Sequence, residues 1–189
     1  YADGSISSGK RNDIELSLQL SDKEHLQKFK NFIGFEGKLI VDDYRCRVSF
    51  KNEKMKKDLI KLGCTPKKSL TLTFPTEKQV SKELIPHFIR GYMDGDGCIV
   101  CTEKHKSIEI LGTNHILKGI CYYTNIPIGR IYKTNCKSDK IFRLVCNKTR
   151  DVLNFCNYIY KDSNIYLERK FNKYKLLMKY YATHNRNVM

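Results

Sequence analysis

Two aspartates stand out in a basic chain, each followed directly by glycine. Asp3 closes the opening stretch "YADG", and Asp96 closes "IRGYMDGDG" near the middle. Pro86 suits the first turn of a helix leading to Asp96. Gly91 within that helix would let a second backbone come close. If two such helices pack side by side, their terminal carboxylates meet. A carboxylate pair in a basic cleft suits Mg²⁺, which takes few protein oxygens and fills its shell with water and phosphate. Metals held in this way activate water and stabilise the leaving oxygen in phosphodiester cleavage. Asp-Gly is also an ordinary turn signal. A calcium loop beginning at Asp94 is excluded, because its twelfth position is His105 rather than glutamate.

The surroundings of these acids are strongly cationic. The chain of 189 residues carries 35 Lys and Arg against 20 Asp and Glu, a formal charge of +15 spread along its length. That excess goes beyond what solubility needs and points to a polyanion, with nucleic acid the leading class. A hydrophobic share of 41% excludes a disordered tail. No apolar run is long enough to span a membrane, and no signal peptide is visible. The eight cysteines sit in apolar runs and read as small buried hydrophobes in a reducing compartment, cytoplasmic or organellar rather than secreted. Cys98 and Cys101 form the one C-x-x-C, without the second pair that a zinc site needs.

The elements that would position the acids occur twice. After Asp3-Gly4 comes a short strand, then Ile14 to Leu20, where Ile14, Leu16, Leu18 and Leu20 alternate with Glu15, Ser17 and Gln19. Ser21 or Asp22 can cap a helix to about Ile33. Strands follow near 38–41 and 44–50, then a basic helix over about 52–62 that ends at Gly63. After Asp96-Gly97 the same order returns: strands near 98–103 and 107–111, a helix over 113–123, strands near 129–133 and 141–146, and a helix over 149–160. A last helix covers about 166–182. The fold class is therefore α+β, with two repeats and one-sided antiparallel sheets. Cys46, Val48 and Phe50 face one way and Arg45, Arg47 and Ser49 the other. Phe142 and Leu144 face inward and Arg143 outward. Basic open faces of this kind suit the groove of duplex DNA.

The two acidic motifs, "YADG" and "IRGYMDGDG", together with the β-β-α-β-β-α order after each, resemble the LAGLIDADG homing endonucleases in their single-chain, two-repeat form. The resemblance covers essentially the whole chain. It implies pseudo-symmetric αββαββα repeats, with saddle-shaped sheets on the DNA major groove. It also implies an intron-encoded enzyme that acts as a monomer, a pseudo-dimer cutting double-stranded DNA at a long asymmetric site. By the same resemblance Asp3 and Asp96 bind Mg²⁺, with the carbonyls of Ala2 and Gly95 as further ligands. Mn²⁺ would substitute, and Ca²⁺ would occupy the sites without supporting cleavage. "PKKSL" and "YLERKF" resemble the places of the family's basic residues and assign catalytic roles to Lys68 and Lys170, with Lys67 and Arg169 as competitors. Such a lysine would polarise water or stabilise phosphate charge. Asp22 resembles a solvent-orienting position, although a helix cap is favoured.

The reading divides the chain into a first repeat over 1–75, a linker over 76–82 and a second repeat over 83–189. The first repeat lacks most of its motif helix, so the native protein is expected to carry an upstream apolar helix ending in Tyr1-Ala2-Asp3. Base-reading positions are expected at Glu15, Ser17, Gln19, Arg45 and Arg47 in one half, and at Lys104, Lys106, Arg130 and Arg143 in the other. The rival is a non-cleaving binder of the same fold, either an RNA-splicing maturase or a transcription regulator.

Overall fold

Alternating side chains with a period of two build both sheets. The computed structural model describes residues 1–136 and 138–184. In the first half, β1 (Gly4–Ile6), β2 (Asp13–Gln19), β3 (Ile40–Val41) and β4 (Arg45–Lys51) form an antiparallel sheet in the order β1-β2-β4-β3. In the second, β5 (Gly97–Cys101), β6 (Lys106–Gly112), β7 (Ile131–Lys133) and β8 (Phe142–Cys146) form another in the order β5-β6-β8-β7. The registers correspond. Gly4 lies opposite Leu16 and Leu16 opposite Val48, just as Gly97 lies opposite Ile110 and Ile110 opposite Leu144.

Among the described residues six α-helices complete the order: α1 (Lys23–Phe32), α2 (Glu53–Lys61), α3 (Ile85–Asp96), α4 (Asn114–Thr124), α5 (Thr149–Tyr160) and α6 (Glu168–His184). The Asn52 side chain accepts from Met55 N at the start of α2, and Thr113 Oγ1 accepts from Ile116 N at the start of α4. Pro86 occupies the first turn of α3, where its missing N–H costs nothing. Among the described residues no helix is long and apolar enough to cross a membrane.

The cores are unequal. Leu26, Cys46 and Val48 form the buried cluster under the first sheet. The second sheet lies on a larger one that joins α3, α4, α5 and α6, including Ile89, Met93, Ile108, Ile110, Ile120, Leu144 and Phe155. Leu72 and Phe74, from the connecting segment, are buried in this second core. Phe74 stacks on Tyr123 at 5.4 Å, and Gly119 makes room for it, since a Cβ there would lie 2.1 Å from Phe74 Cγ.

Three expectations are corrected. Lys106 begins β6 on the same face as Ile108 and Ile110, so it is buried rather than groove-facing. Its ammonium lies 3.4 Å from the centre of the Tyr180 ring. Asp22 stands at the start of α1 but makes no capping bond there. Cys98 and Cys136 are exposed and Cys101 is half-buried, while the other five cysteines are buried and all eight are free thiols.

Candidate active site

Asp96 is the last residue of α3, and Gly97 opens β5. Asp3 stands just before β1, and its carbonyl accepts from Ser17 N at 3.4 Å. Gly95 brings the two motifs together. A Cβ there would lie 2.3 Å from the Ala2 Cβ and 2.9 Å from Asp3 Oδ2, so only glycine permits this approach. Gly91, the expected point of close approach, has nothing within 4 Å of where its Cβ would be. Both carboxyls keep an accessible edge yet are crowded by protein. Desolvation raises the pKa of each above the ordinary carboxylate value, and the charge on Asp3 raises Asp96 further. Lys68 and Lys170 partly offset this at both sites.

The two lysines lie behind the acids and are buried. Lys68 Nζ donates to the carbonyls of Ala2 at 3.0 Å and Gly4 at 2.5 Å. Lys170 Nζ donates to Met93 O and Asp94 O at 2.7 Å and to Gly97 O at 2.6 Å. An ammonium has three protons. Those of Lys170 are therefore all committed, whereas Lys68 keeps one. Burial, helped by the neighbouring Arg169 charge, lowers the Lys170 pKa to about 8. Of the competitors, Lys67 is exposed and backbone-strained at φ 54°. Arg169 Nε donates to both carboxylate oxygens of Asp22 at 3.1 Å. Asp22 also accepts from Gln19 Nε2 at 2.9 Å, so it links the two halves.

Asp94 faces away from this centre. It accepts from the Tyr160 hydroxyl and from Leu167 N, both at 3.0 Å, and so ties α3 to α5 and to the chain before α6. Burial raises its pKa, and these bonds oppose the shift.

Two partly desolvated carboxyls, with the Asp3 charge raising the proton affinity of Asp96, form a pair that a divalent cation would relieve, so Asp3 and Asp96 fit metal binding. Among the described residues no three His, Cys, Asp or Glu side chains converge, so any such cation would draw its other ligands from backbone carbonyls, water or substrate. The Ala2 carbonyl fits less well, since a second cation would share its oxygen with the Lys68 ammonium.

A cleft of about 500 Å³ runs from Asp3 past Ser17, Gln19 and Asp22 to Arg45 and Arg169, joining the acids to the open face of the first sheet. Arg45, Arg47 and Gln19 are exposed there and Arg143 on the corresponding second face; Lys104 is exposed in the turn between β5 and β6, and Glu15, Ser17 and Arg130 are half-exposed. Arg130 Nη1 lies 3.4 Å from Asn147 Oδ1. Glu109 was not among the expected readers. It pairs with Arg143 as Glu15 pairs with Arg47. The repeated Ile14-Glu15-Leu16 and Ile108-Glu109-Ile110 were the signal for it.

No family model matches the chain, and no curated protein matches it. Solved structures do. The chain is similar to the LAGLIDADG homing endonuclease I-LtrWI bound to target DNA, with 13% identity and a TM-score of 0.64, over 96% of this chain and 87% of that one. It is similar to I-GzeII in complex with a DNA target, with 11% identity and a TM-score of 0.61, over 99% and 87%. It is also similar to the meganuclease I-AabMI bound to uncleaved DNA, with 11% identity and a TM-score of 0.58, over 98% and 88%. The chain has the LAGLIDADG homing-endonuclease fold, with two repeats in a single chain.

Proposed function

We propose that this protein is a site-specific double-strand DNA endonuclease that depends on a divalent metal, with Mg²⁺ as the working ion. The observation that carries the reading is the approach of Asp3 to Asp96 across Gly95, at the end of both sheets. The +15 charge and the basic open faces support a duplex as substrate, and the structural neighbours named above are described as bound to DNA.

Asp3 and Asp96 would hold the metal, which supplies activation of water and stabilisation of the leaving oxygen. The chain's own groups do the positioning. Lys170 fixes the end of α3 by tying three carbonyls to one ammonium, and so sets where Asp96 points. Lys68 fixes the Ala2–Gly4 turn around Asp3 and keeps one proton for a phosphate oxygen or a water. The Asp22–Arg169 pair holds the two halves at constant spacing, which an in-line cut on both strands requires. We place the enzyme, as a monomer, in a reducing compartment that contains DNA. In the test, the protein is incubated with a randomised duplex library and Mg²⁺, and the ends produced are sequenced. Cleavage at one sequence supports the reading. Retention of duplexes without any cut would favour the non-cleaving binder.

A further inference from the structure

The open faces differ in most residues but share one construction. In the first half Arg47 Nη1 lies 3.5 Å from Glu15 Oε2. In the second, Arg143 Nη1 lies 3.7 Å from Glu109 Oε1. The pairs occupy the same place in the two sheets. Arg47 is opposite Ser17, one step beyond the row in which Leu16 meets Gly4 and Val48. Arg143 is opposite Leu111, one step beyond the row in which Ile110 meets Gly97 and Leu144. Gly4 and Gly97 directly follow the two acids, so both arginines stand the same number of steps from the centre. Side-chain exposure is also matched, at 49% and 35% for Arg47 and Glu15, and 46% and 41% for Arg143 and Glu109.

Stability does not explain the duplication, because exposed ion pairs contribute little to it. Phosphate binding does not explain it either. A carboxylate repels phosphate, and it weakens the pull of the arginine beside it. The major groove does supply partners for both groups. Guanine offers O6 and N7 as acceptors for arginine, and cytosine offers its N4 amino group as a donor to glutamate. An arginine and a glutamate side by side therefore complement a G·C pair.

We propose that the two Glu–Arg pairs read the same base pair in each half-site, so that the target carries a two-fold symmetric G·C element inside an otherwise asymmetric sequence. This rests on the DNA reading above. The flanks of each pair differ: Ser17 and Ile40 lie beside Arg47, and Leu111 and Tyr132 lie beside Arg143. Symmetry is accordingly confined to this step.

The test is selection of bound duplexes from a random pool by the whole chain, followed by Arg47→Ala, Arg143→Ala and Glu109→Gln on the selected site. The expected site has G·C pairs in inverted orientation at two positions equidistant from its centre. Each arginine variant should lose discrimination at one of them only, by about tenfold or more. Glu109→Gln should relax the choice at the Arg143 position and leave discrimination at the Arg47 position unchanged. Selected sites without the symmetric pair would overturn the proposal while leaving the DNA reading intact. So would a uniform loss of affinity with a shallower salt dependence, the mark of phosphate contacts. Failure to retain any duplex would overturn both.

Discussion

Leu26, Cys46 and Val48 make a thin cluster under the first sheet, whereas the second sheet rests on a core shared by four helices and the connecting segment. Yet strand order and register are the same. Register is set by the period-two pattern and the hairpins, while depth of burial depends on what packs behind the sheet. The first half is held in part by fastenings to the rest of the chain: the Asp22–Arg169 pair and Lys28 with Glu168 at 3.1 Å. Stability therefore resides mainly in the second half, and the first follows it.

Core truncation should expose that difference most strongly. Phe155→Ala should cost about 3–5 kcal/mol and shift the whole urea transition. Leu26→Ala should instead act locally, speeding amide exchange in β2 and β4 while β6 and β8 stay protected. Equal loss of protection in both sheets would mean that the two halves unfold as one unit.

The lysines come next. Lys170→Met leaves three carbonyls without their donor and Lys68→Met leaves two, so the first should be more destabilising, by on the order of 3 kcal/mol against 2. Their pH behaviour sharpens this. Burial lowers the Lys170 pKa from 10.5 to about 8, so between those values the unfolded chain binds a proton that the folded chain has released. Wild-type stability should then rise with pH across that window relative to Lys170→Met, and the advantage should be lost as pH falls through about 8. A pH-independent difference would contradict the placement of Lys170.

The two glycines of α3 should give the smallest effects. Gly91→Ala meets open space and should stabilise the helix by about 1 kcal/mol. Gly95→Ala must push Ala2 and Asp3 away and should lower the melting temperature. Identical shifts would mean that the motifs do not meet at Gly95.

Much of this architecture was legible in the sequence. Alternation around Cys46, Val48 and Phe50 put Arg45 and Arg47 outside, and the helix over 149–160 has those ends in the structure. Lys106 was misread because the strand starts one residue earlier than expected, and a period of two sends that residue to the core. The Asp22–Arg169 pair joins residues far apart in the chain, which no local pattern encodes. That Lys68 and Lys170 are buried carbonyl ties is not legible in the sequence, because local sequence does not record what lies behind a helix end.

Asp3 and Asp96 are proposed to form a cleavage centre on a DNA-binding surface. Asp96→Asn tests it most directly, with cutting and binding measured on the same duplex in Mg²⁺. Phosphate contacts dominate affinity, so binding should stay within about tenfold of wild type. Cleavage of at least one strand should be abolished. Full cleavage by Asp96→Asn would contradict the account.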